Sequence, residues 1–468
     1  METTADAAGA TDGKGRPRRC LSLFDAVAII VGIVIGSMIF KAPSWVAGFS
    51  PNVGWFIAFW VLGGVVSLVG ALCYAELAAT YPDAGGDYHF LTRAYGPSVG
   101  FLFAWARLAI IQTGSIAIQA FVIGDYTATL LPIGPASSAI YAALVVVLLT
   151  ALNIAGIRQG KWAQVVLTTC EVIGVLLLIA AGFALMSRGG AAPVDPAAAA
   201  TGATSFSFGA AGMAMVFVLL TYGGWNEAAY LSAEVRGRRG IATALLLSIG
   251  LVTVIYVLAN VAMVAGLGLE GLAKSSAVGA DLAGGAFGSF GAVLISLIVV
   301  IAAASTTNAT IITGARTNYA LGRDFPLLAR LGRWDDRGNT PTNALVVQGL
   351  ISLVLVVLGG ISISGFKAMV DYTTPVFWFF FLLATGSLLV LRQREPNVER
   401  LFRVPLYPLT PILFIAVCGY MFYSSVMYAG VWSLVGLGVL AAGVPLLAFA
   451  KPARRDVQPG FEPVMAEG

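Results

Sequence analysis

Apolar stretches long enough to cross a bilayer recur along nearly the whole chain, and two of them break at their centres. In hydrocarbon every backbone N–H and C=O must be satisfied from within, so only helices and closed barrels can span, and a broken helix must face protein, water or a ligand. The first break is Gly36-Ser37, within the apolar run 29–40; the second is Tyr222-Gly223-Gly224-Trp225, within 213–231. A matched pair of breaks, one in each half, is the sequence pattern of a transport site at the membrane midplane.

Composition agrees: 58% of residues are hydrophobic and 11% charged, whereas soluble domains carry about 25% charge. Spacing predicts an all-α polytopic membrane protein with about twelve helices, over 22–47, 53–80, 97–130, 138–156, 161–186, 210–235, 241–266, 287–321, 342–360, 365–391, 406–427 and 429–450. With both termini in the cytoplasm, Arg16, Arg18, Arg19, Arg93, Arg158, Arg236, Arg316, Arg323, Arg392, Arg394 and Arg400 all fall inside. The outside receives only Lys41, Arg188, Lys274 and Lys367, and Arg107 lies within the third helix. Net charge therefore reflects topology, and the lipid bilayer, not nucleic acid, is the expected partner. The expected organisation is a tail (1–20), a first five-helix unit (21–186), an Ala/Gly/Pro-rich outer loop (187–209), a second five-helix unit (210–391), two further helices (392–450) and a tail (451–468). No cleaved signal peptide is expected, because no small-residue cleavage site follows the first apolar segment. Cys20, Cys73, Cys170 and Cys418 are scattered singly, with neither metal spacing nor a disulfide framework.

Each break has a chemistry. Unwinding at Gly36-Ser37 exposes the N–H groups and positive dipole end of an outer half-helix, which suit a carboxylate; a Gly32-xxx-Gly36 packing groove is the alternative. At Leu220-Thr221-Tyr222-Gly223-Gly224-Trp225-Asn226, adjacent glycines between aromatics free carbonyls that can accept from an ammonium group; a plain hinge is the alternative. Gly96-Pro97-Ser98-Val99-Gly100 fits a hydrolase pattern but lacks its strand–turn–helix setting.

Taken with Cys73-Tyr74-Ala75-Glu76-Leu77, Gly85-Gly86-Asp87-Tyr88, Glu234, Thr313-Gly314-Ala315-Arg316 and Arg403-Val404-Pro405-Leu406-Tyr407-Pro408, the breaks resemble the amino acid–polyamine–organocation superfamily, in particular its L-type amino-acid transporter branch. The resemblance runs from Leu21 to about Ala450. It implies a LeuT-type fold: a 5+5 inverted repeat plus two C-terminal helices, with helices 1 and 6 broken. It also implies an α-amino acid substrate. By position, the Gly36 turn and the N–H groups of Ser37, Met38 and Ile39 would hold the carboxylate, and carbonyls near Val34, Leu220 and Gly223 the ammonium. Thr221, Tyr222, Gly224, Trp225 and Asn226 would line the site or its gate. Three departures stand out. Met38 replaces the family's second glycine, a hint toward small substrates. Leu220 replaces an aromatic gate residue, so the outer gate closes differently or uses Trp225. Glu171 stands where many relatives carry a lysine in place of a sodium ion.

Glu171 lies about 15 Å from Lys161 along its helix, at about 1.5 Å per residue, hence near the midplane. An ionisable group at that depth is a functional candidate: it could carry a proton, or bind Na+ with Ser305 and Thr306. The competing reading is a carboxyl satisfied by a neighbour such as Arg107. Glu76, Asp87, Glu234 and Arg316 lie near cytoplasmic ends, Asp371 near an outer end, and His89, the single histidine, in a solvated loop. The sequence thus points to a secondary transporter of small or neutral amino acids by alternating access, either an exchanger or a cation-coupled symporter. It would need no cofactor beyond a coupling H+ or Na+, and no P-loop is present. An amino-acid sensor that does not transport, or an intramembrane enzyme, are the alternatives; no nucleophile–base pair or metal cluster supports the latter. Eukaryotic L-type light chains carry an outer cysteine between helices three and four; the corresponding Leu131-Pro132-Ile133-Gly134-Pro135-Ala136-Ser137 has none. No disulfide-linked heavy chain is expected, and a bacterial inner membrane fits.

Overall fold

The computed structural model describes residues 22–83, 85–156, 161–189, 207–226, 240–335 and 340–449. In chain order the helices are α1 (Leu23–Val34), a 3-10 turn (Ser37–Phe40), α2 (Ala42–Phe49), α3 (Val53–Thr80), α4 (Asp87–Tyr95), α5 (Pro97–Ala106), a π turn (Arg107–Ile111), α6 (Gln112–Leu130), α7 (Ser137–Ile154) and α8 (Lys161–Ser187). They continue as α9 (Phe208–Thr221), α10 (Gly240–Lys274), α11 (Val278–Asp324), α12 (Thr342–Gly360), α13 (Gly365–Arg394), α14 (Leu409–Met427), α15 (Val431–Ala441) and α16 (Gly443–Leu446). The only strand-like pairing among the described residues is an isolated bridge, Asp335 to Thr340. The chain is an all-α polytopic membrane protein.

An apolar helix stands at each expected position. Among the described residues nine are long and apolar enough to span, the first span is a pair bent by 62° between 26–40 and 42–49, and 208–221 and 431–446 are shorter apolar helices. The second half of the expected sixth span, with Glu234, lies outside the described residues. Leu62, Val65, Leu144, Leu148, Leu176, Leu251, Val254, Leu297, Leu350 and Val354 are exposed on the helix flanks. A belt of this kind is what lipid, not water, covers.

Helix packing follows a pattern that survives exchange of the two halves. α3 packs on α10, α6 on α11 and α7 on α12; α8 packs on α11 and α10, as α13 packs on α6 and α3. The expected loop 266–287 is instead helical over much of its length. Gly268 and Gly288, both with φ of +69°, turn the chain out of and back into the long helices, a conformation that favours glycine. His89 likewise sits on a short helix, α4, not in a loop; it is half-buried and faces Asp83 at 3.5 Å. Burial lowers its pKa, against a smaller opposing pull from Asp83. The Gly96–Gly100 stretch opens α5, so the hydrolase reading has no support in its setting.

Several buried hydroxyls in the long helices bond backward along their own helix, as Thr307 to Ala303 O (2.6 Å) and Ser248 to Ala244 O (2.7 Å). Those polar atoms are thereby satisfied without water. The end of the bundle carrying Arg93, Arg323, Arg392, Arg394 and Arg400 is called the arginine-rich face below; Lys41 and Asp125 lie toward the opposite face.

Candidate functional site

Both expected breaks form, and they meet. α1 stops at Val34, Gly36 is extended (φ −122°, ψ −179°), and the chain resumes as the single turn Ser37–Phe40. The first N–H groups of such a turn have no acceptor within it. A Cβ added at Gly36 would meet no atom within 4 Å, so the turn borders open space. α9 ends at Thr221, and Gly224 adopts φ of +101°. A Cβ at Gly224 would lie 3.1 Å from the Ile33 carbonyl oxygen. Close approach of this turn to the end of α1 therefore favours glycine there on two counts, conformation and room.

Tyr256 of α10 joins the breaks. Its hydroxyl lies 2.7 Å from Val34 O and 3.4 Å from Thr221 O. With a single proton, the hydroxyl donates principally to Val34 and secondarily to Thr221. Tyr222 donates to Trp60 O at 3.0 Å, and its ring packs edge-on against Tyr256 with centroids 5.1 Å apart. Ser37 Oγ donates to Gln119 Oε1 of α6 at 2.5 Å. Tyr126, two turns further along α6, donates to Phe40 O (2.8 Å) and accepts from Gly279 N–H (3.0 Å). Of the carbonyls expected to meet an ammonium, Val34 thus already accepts from Tyr256, and Leu220 accepts from Gly223 N–H at 3.2 Å. Each oxygen retains a second lone pair. Tyr256, Gln119 and Tyr126 were not legible as site residues, because each lies inside an unbroken apolar helix whose facing the sequence does not give.

Closure of the site is layered. Toward the opposite face, Phe217 stacks on Trp45 (5.7 Å), Phe49 (6.1 Å) and Phe366 (6.3 Å). Toward the arginine-rich face, Trp225 packs on Tyr74 (5.2 Å), Phe381 (5.4 Å) and Phe414 (6.2 Å). Beyond it Glu76, 1% exposed, takes a bidentate pair from Arg392, whose Nε lies 2.7 Å from Oε1, and also bonds the Val404 N–H at 2.6 Å. The turn at Gly224 thus turns Trp225 toward the arginine-rich side, and Phe217 stacks on the opposite side.

Residues 21–447 match the family model for amino acid permeases. The chain belongs to the amino acid permease family. The permease is 28% identical to b(0,+)-type amino acid transporter 1 of Mus musculus over 421 residues, which cover 88% of this chain and 83% of the relative. It is 30% identical to the Oryctolagus cuniculus protein of the same name over 393 residues, 82% of this chain and 78% of the relative. Large neutral amino acids transporter small subunit 2 of Homo sapiens is 28% identical over 446 residues, 94% and 82% respectively. The L-type resemblance read from the motifs holds.

Within the permease, Glu171 is buried, and Thr306 Oγ1 lies 3.3 Å from its Oε1. Ser305, also buried, is the next residue on α11. Carboxylate and hydroxyl oxygens are the donors a hard cation takes, and a lone buried carboxyl is equally able to carry a proton. Among the described residues no group of three His, Cys, Asp or Glu side chains stands together. Arg107 instead lines a small cavity of about 40 Å³ with Asp87, Gln112, Asn226, Phe377 and Phe381. Asn226 thus faces the arginine-rich side of the site. Met38 is 8% exposed. Asp371 is buried and pairs with Lys367 at 2.5 Å, and Arg316 is exposed.

Proposed function

We propose that this permease is a secondary amino-acid transporter that works by alternating access, taking small or neutral amino acids at the meeting point of the two breaks. One observation carries the reading: the unwound turn at Gly224 touches the last turn of α1 at Ile33, the Tyr256 hydroxyl bridges the carbonyls of Val34 and Thr221 where the two helices end, and the first break borders open space at Gly36. The carboxylate lies on the N–H groups of Ser37, Met38 and Ile39. The ammonium lies by the carbonyls of Val34, Leu220 and Thr221, with Gly223 holding the turn. The pairwise packing that survives exchange of the halves supports a 5+5 inverted repeat with the site on its pseudo-axis. The lysine and arginine distribution supports an arginine-rich face in the cytoplasm, and the cysteine-free connection 131–137 supports a bacterial inner membrane as the setting. In such a cycle one set of helices rocks against the other, and the layers at Phe217 and Trp225 open in turn.

Glu171 with Thr306 and Ser305 supports coupling to H+ or Na+, and exchange without a coupling ion is the other mode the site allows. The amino acid is thus the partner this reading requires; a disulfide-linked heavy chain is not part of it.

Gly36→Val tests the site. A branched side chain fills the open space beside the Ser37 turn, and counterflow of labelled neutral amino acids in proteoliposomes falls at least a hundredfold while the protein stays monodisperse. Undiminished counterflow in Gly36→Val removes the midplane site from this region. Binding of label by the native protein without accumulation in sealed vesicles replaces transport by sensing.

A further inference from the structure

A cavity of about 340 Å³ lies on the opposite face and has in its wall an ion pair whose lysine is buried and whose carboxylate is partly buried. Lys41, 5% exposed, places Nζ 2.6 Å from Asp125 Oδ2 and 2.5 Å from Ser276 O, with the Phe366 ring centroid 5.7 Å away. Ser138 bonds the other oxygen of Asp125 at 2.5 Å. Lys41 ends the Ser37–Phe40 turn, Asp125 sits on α6, and Ser276 lies in the turn before α11. One ammonium therefore ties the broken first span to two other helical elements. Pro135 and Ala136 before α7 and Ser362, Ile363 and Ser364 after α12 also line the cavity, and Ile363 is fully exposed.

We propose that this cavity is an entry subsite for zwitterionic α-amino acids, and that the Lys41–Asp125 pair opens by exchanging partners with the bound zwitterion. The inference deepens the transport reading and rests on it. Charge determines the ligand class. A pure anion would take Lys41 and leave Asp125 poorly solvated without its cation; a pure cation would do the reverse. Breaking such a pair one-sidedly is far costlier than replacing both partners together. A zwitterion supplies a carboxylate to Lys41 and an ammonium to Asp125 in one event, so no charge is left unpaired. The tie between the first span and α6 is thereby released as the ligand arrives. The wall suits a polar visitor: Ser44, Ser362 and Ser364 line the cavity beside the pair. Its volume admits a small amino acid with water.

The experiment reads this subsite apart from the midplane site. Ser362→Cys places a thiol on the cavity wall of the full-length chain in sealed vesicles, and a membrane-impermeant maleimide reports its accessibility. External alanine slows labelling at least fivefold, in the native background and in Gly36→Val alike. N-acetylalanine and alanine methyl ester, each with one charge only, give less than a tenth of that protection at equal concentration. Lys41→Gln with Asp125→Asn, which removes both charges together, raises the half-protecting concentration at least tenfold; Lys41→Asp with Asp125→Lys restores protection. Protection lost in Gly36→Val, equal protection by the singly charged analogues, or protection indifferent to removal of the pair each overturns the proposal. Gly36→Val with undiminished transport overturns the midplane reading instead, and the labelling result still decides the subsite.

Discussion

Replacing Glu76 by Gln opens the arginine-rich face, and a native cysteine reports it. Glu76 is 1% exposed; its carboxylate takes two bonds from Arg392, one from the Val404 N–H and a longer contact from Arg400 at 3.4 Å. Arg392 is further held over the Tyr407 ring, 3.8 Å from its centroid. The cluster joins the end of α3 to the end of α13 and to the segment before α14. Gln keeps the shape and one acceptor but removes the charge, leaving Arg392 without its carboxylate partner in a largely buried setting, while Arg400 still has Glu395 nearby. Losing one partner of a buried pair costs about 3–5 kcal/mol; taking the lower figure, because Arg392 keeps 18% of its side chain exposed, opening becomes roughly a hundredfold more populated. Cys73, 0% exposed, lies one helical turn before Glu76. Where reclosing is fast, its labelling rate follows that opening equilibrium. Purified protein treated with maleimide and read cysteine by cysteine by mass spectrometry shows native Cys73 nearly inert, and Glu76→Gln about a hundredfold faster. Glu270→Gln, which breaks the solvent-exposed pair with Lys274, leaves the rate unchanged, as surface pairs are worth little. A Cys73 rate within threefold of native in Glu76→Gln, with the protein still monodisperse, refutes the idea that this cluster holds the face shut.

Three further outcomes are expected. Tyr256→Phe loses the hydroxyl shared by Val34 and Thr221, at about 1–2 kcal/mol; the apparent affinity for amino acid in counterflow falls about fivefold to thirtyfold while the fold persists. Glu171→Gln keeps the bond from Thr306 but cannot gain or lose a proton; its uptake loses sensitivity to imposed pH or Na+ gradients, and unchanged dependence on both would sink the coupling role. Beyond the spans, the hydrogen bond from Arg93 holds the Glu395 carboxyl below the usual carboxylate range, against a smaller cost of burial. A depressed carboxylate adds stability above its unfolded pKa of about 4.3, and that stability is lost as pH falls through the folded value. Arg93→Gln therefore lowers thermal stability at neutral pH by no more than about 1 kcal/mol, and the difference from native vanishes in acid; a difference that widens in acid contradicts the assignment.

The breaks were legible because an apolar run interrupted by Gly-Ser or Gly-Gly has few explanations in hydrocarbon, and the helices stop beside them, α1 at Val34 and α9 at Thr221. What faces them was not legible. α3, α6, α10 and α13 are apolar on most sides, lipid on one and protein on the other, so no polar stripe marks which residues turn inward. Gln119, Tyr126 and Tyr256 are accordingly invisible in sequence, although each bonds a broken segment. The side that Trp225 takes stayed open in the sequence for a different reason. A residue after a left-handed glycine no longer follows helical phase, and Gly224 at φ +101° rotates the indole to the arginine-rich side.

The charge rule has a parallel blind spot, and it bears on how such a molecule can alternate. Lysine and arginine counts sort residues by side of the membrane, not by depth, so Lys41 and Glu76 register only as end-of-helix charges. Both are buried, and burial is tolerable only because each is paired across helices: Lys41 joins the bent first span to α6, and Glu76 joins α3 to α13 and its sequel. A transporter must separate helices at one end while holding the other. A pair worth a few kcal/mol at each end keeps the two closures comparable in strength. Only then can a ligand with differential affinity of similar size, about 5.5 kcal/mol for a full reversal of population, tip the molecule from one to the other. A stronger latch at either end would trap it. Weakening Glu76 alone should therefore bias the cycle toward the arginine-rich opening, and removing Lys41 and Asp125 together should bias it the other way; the combined variant lies nearer the native balance than either parent.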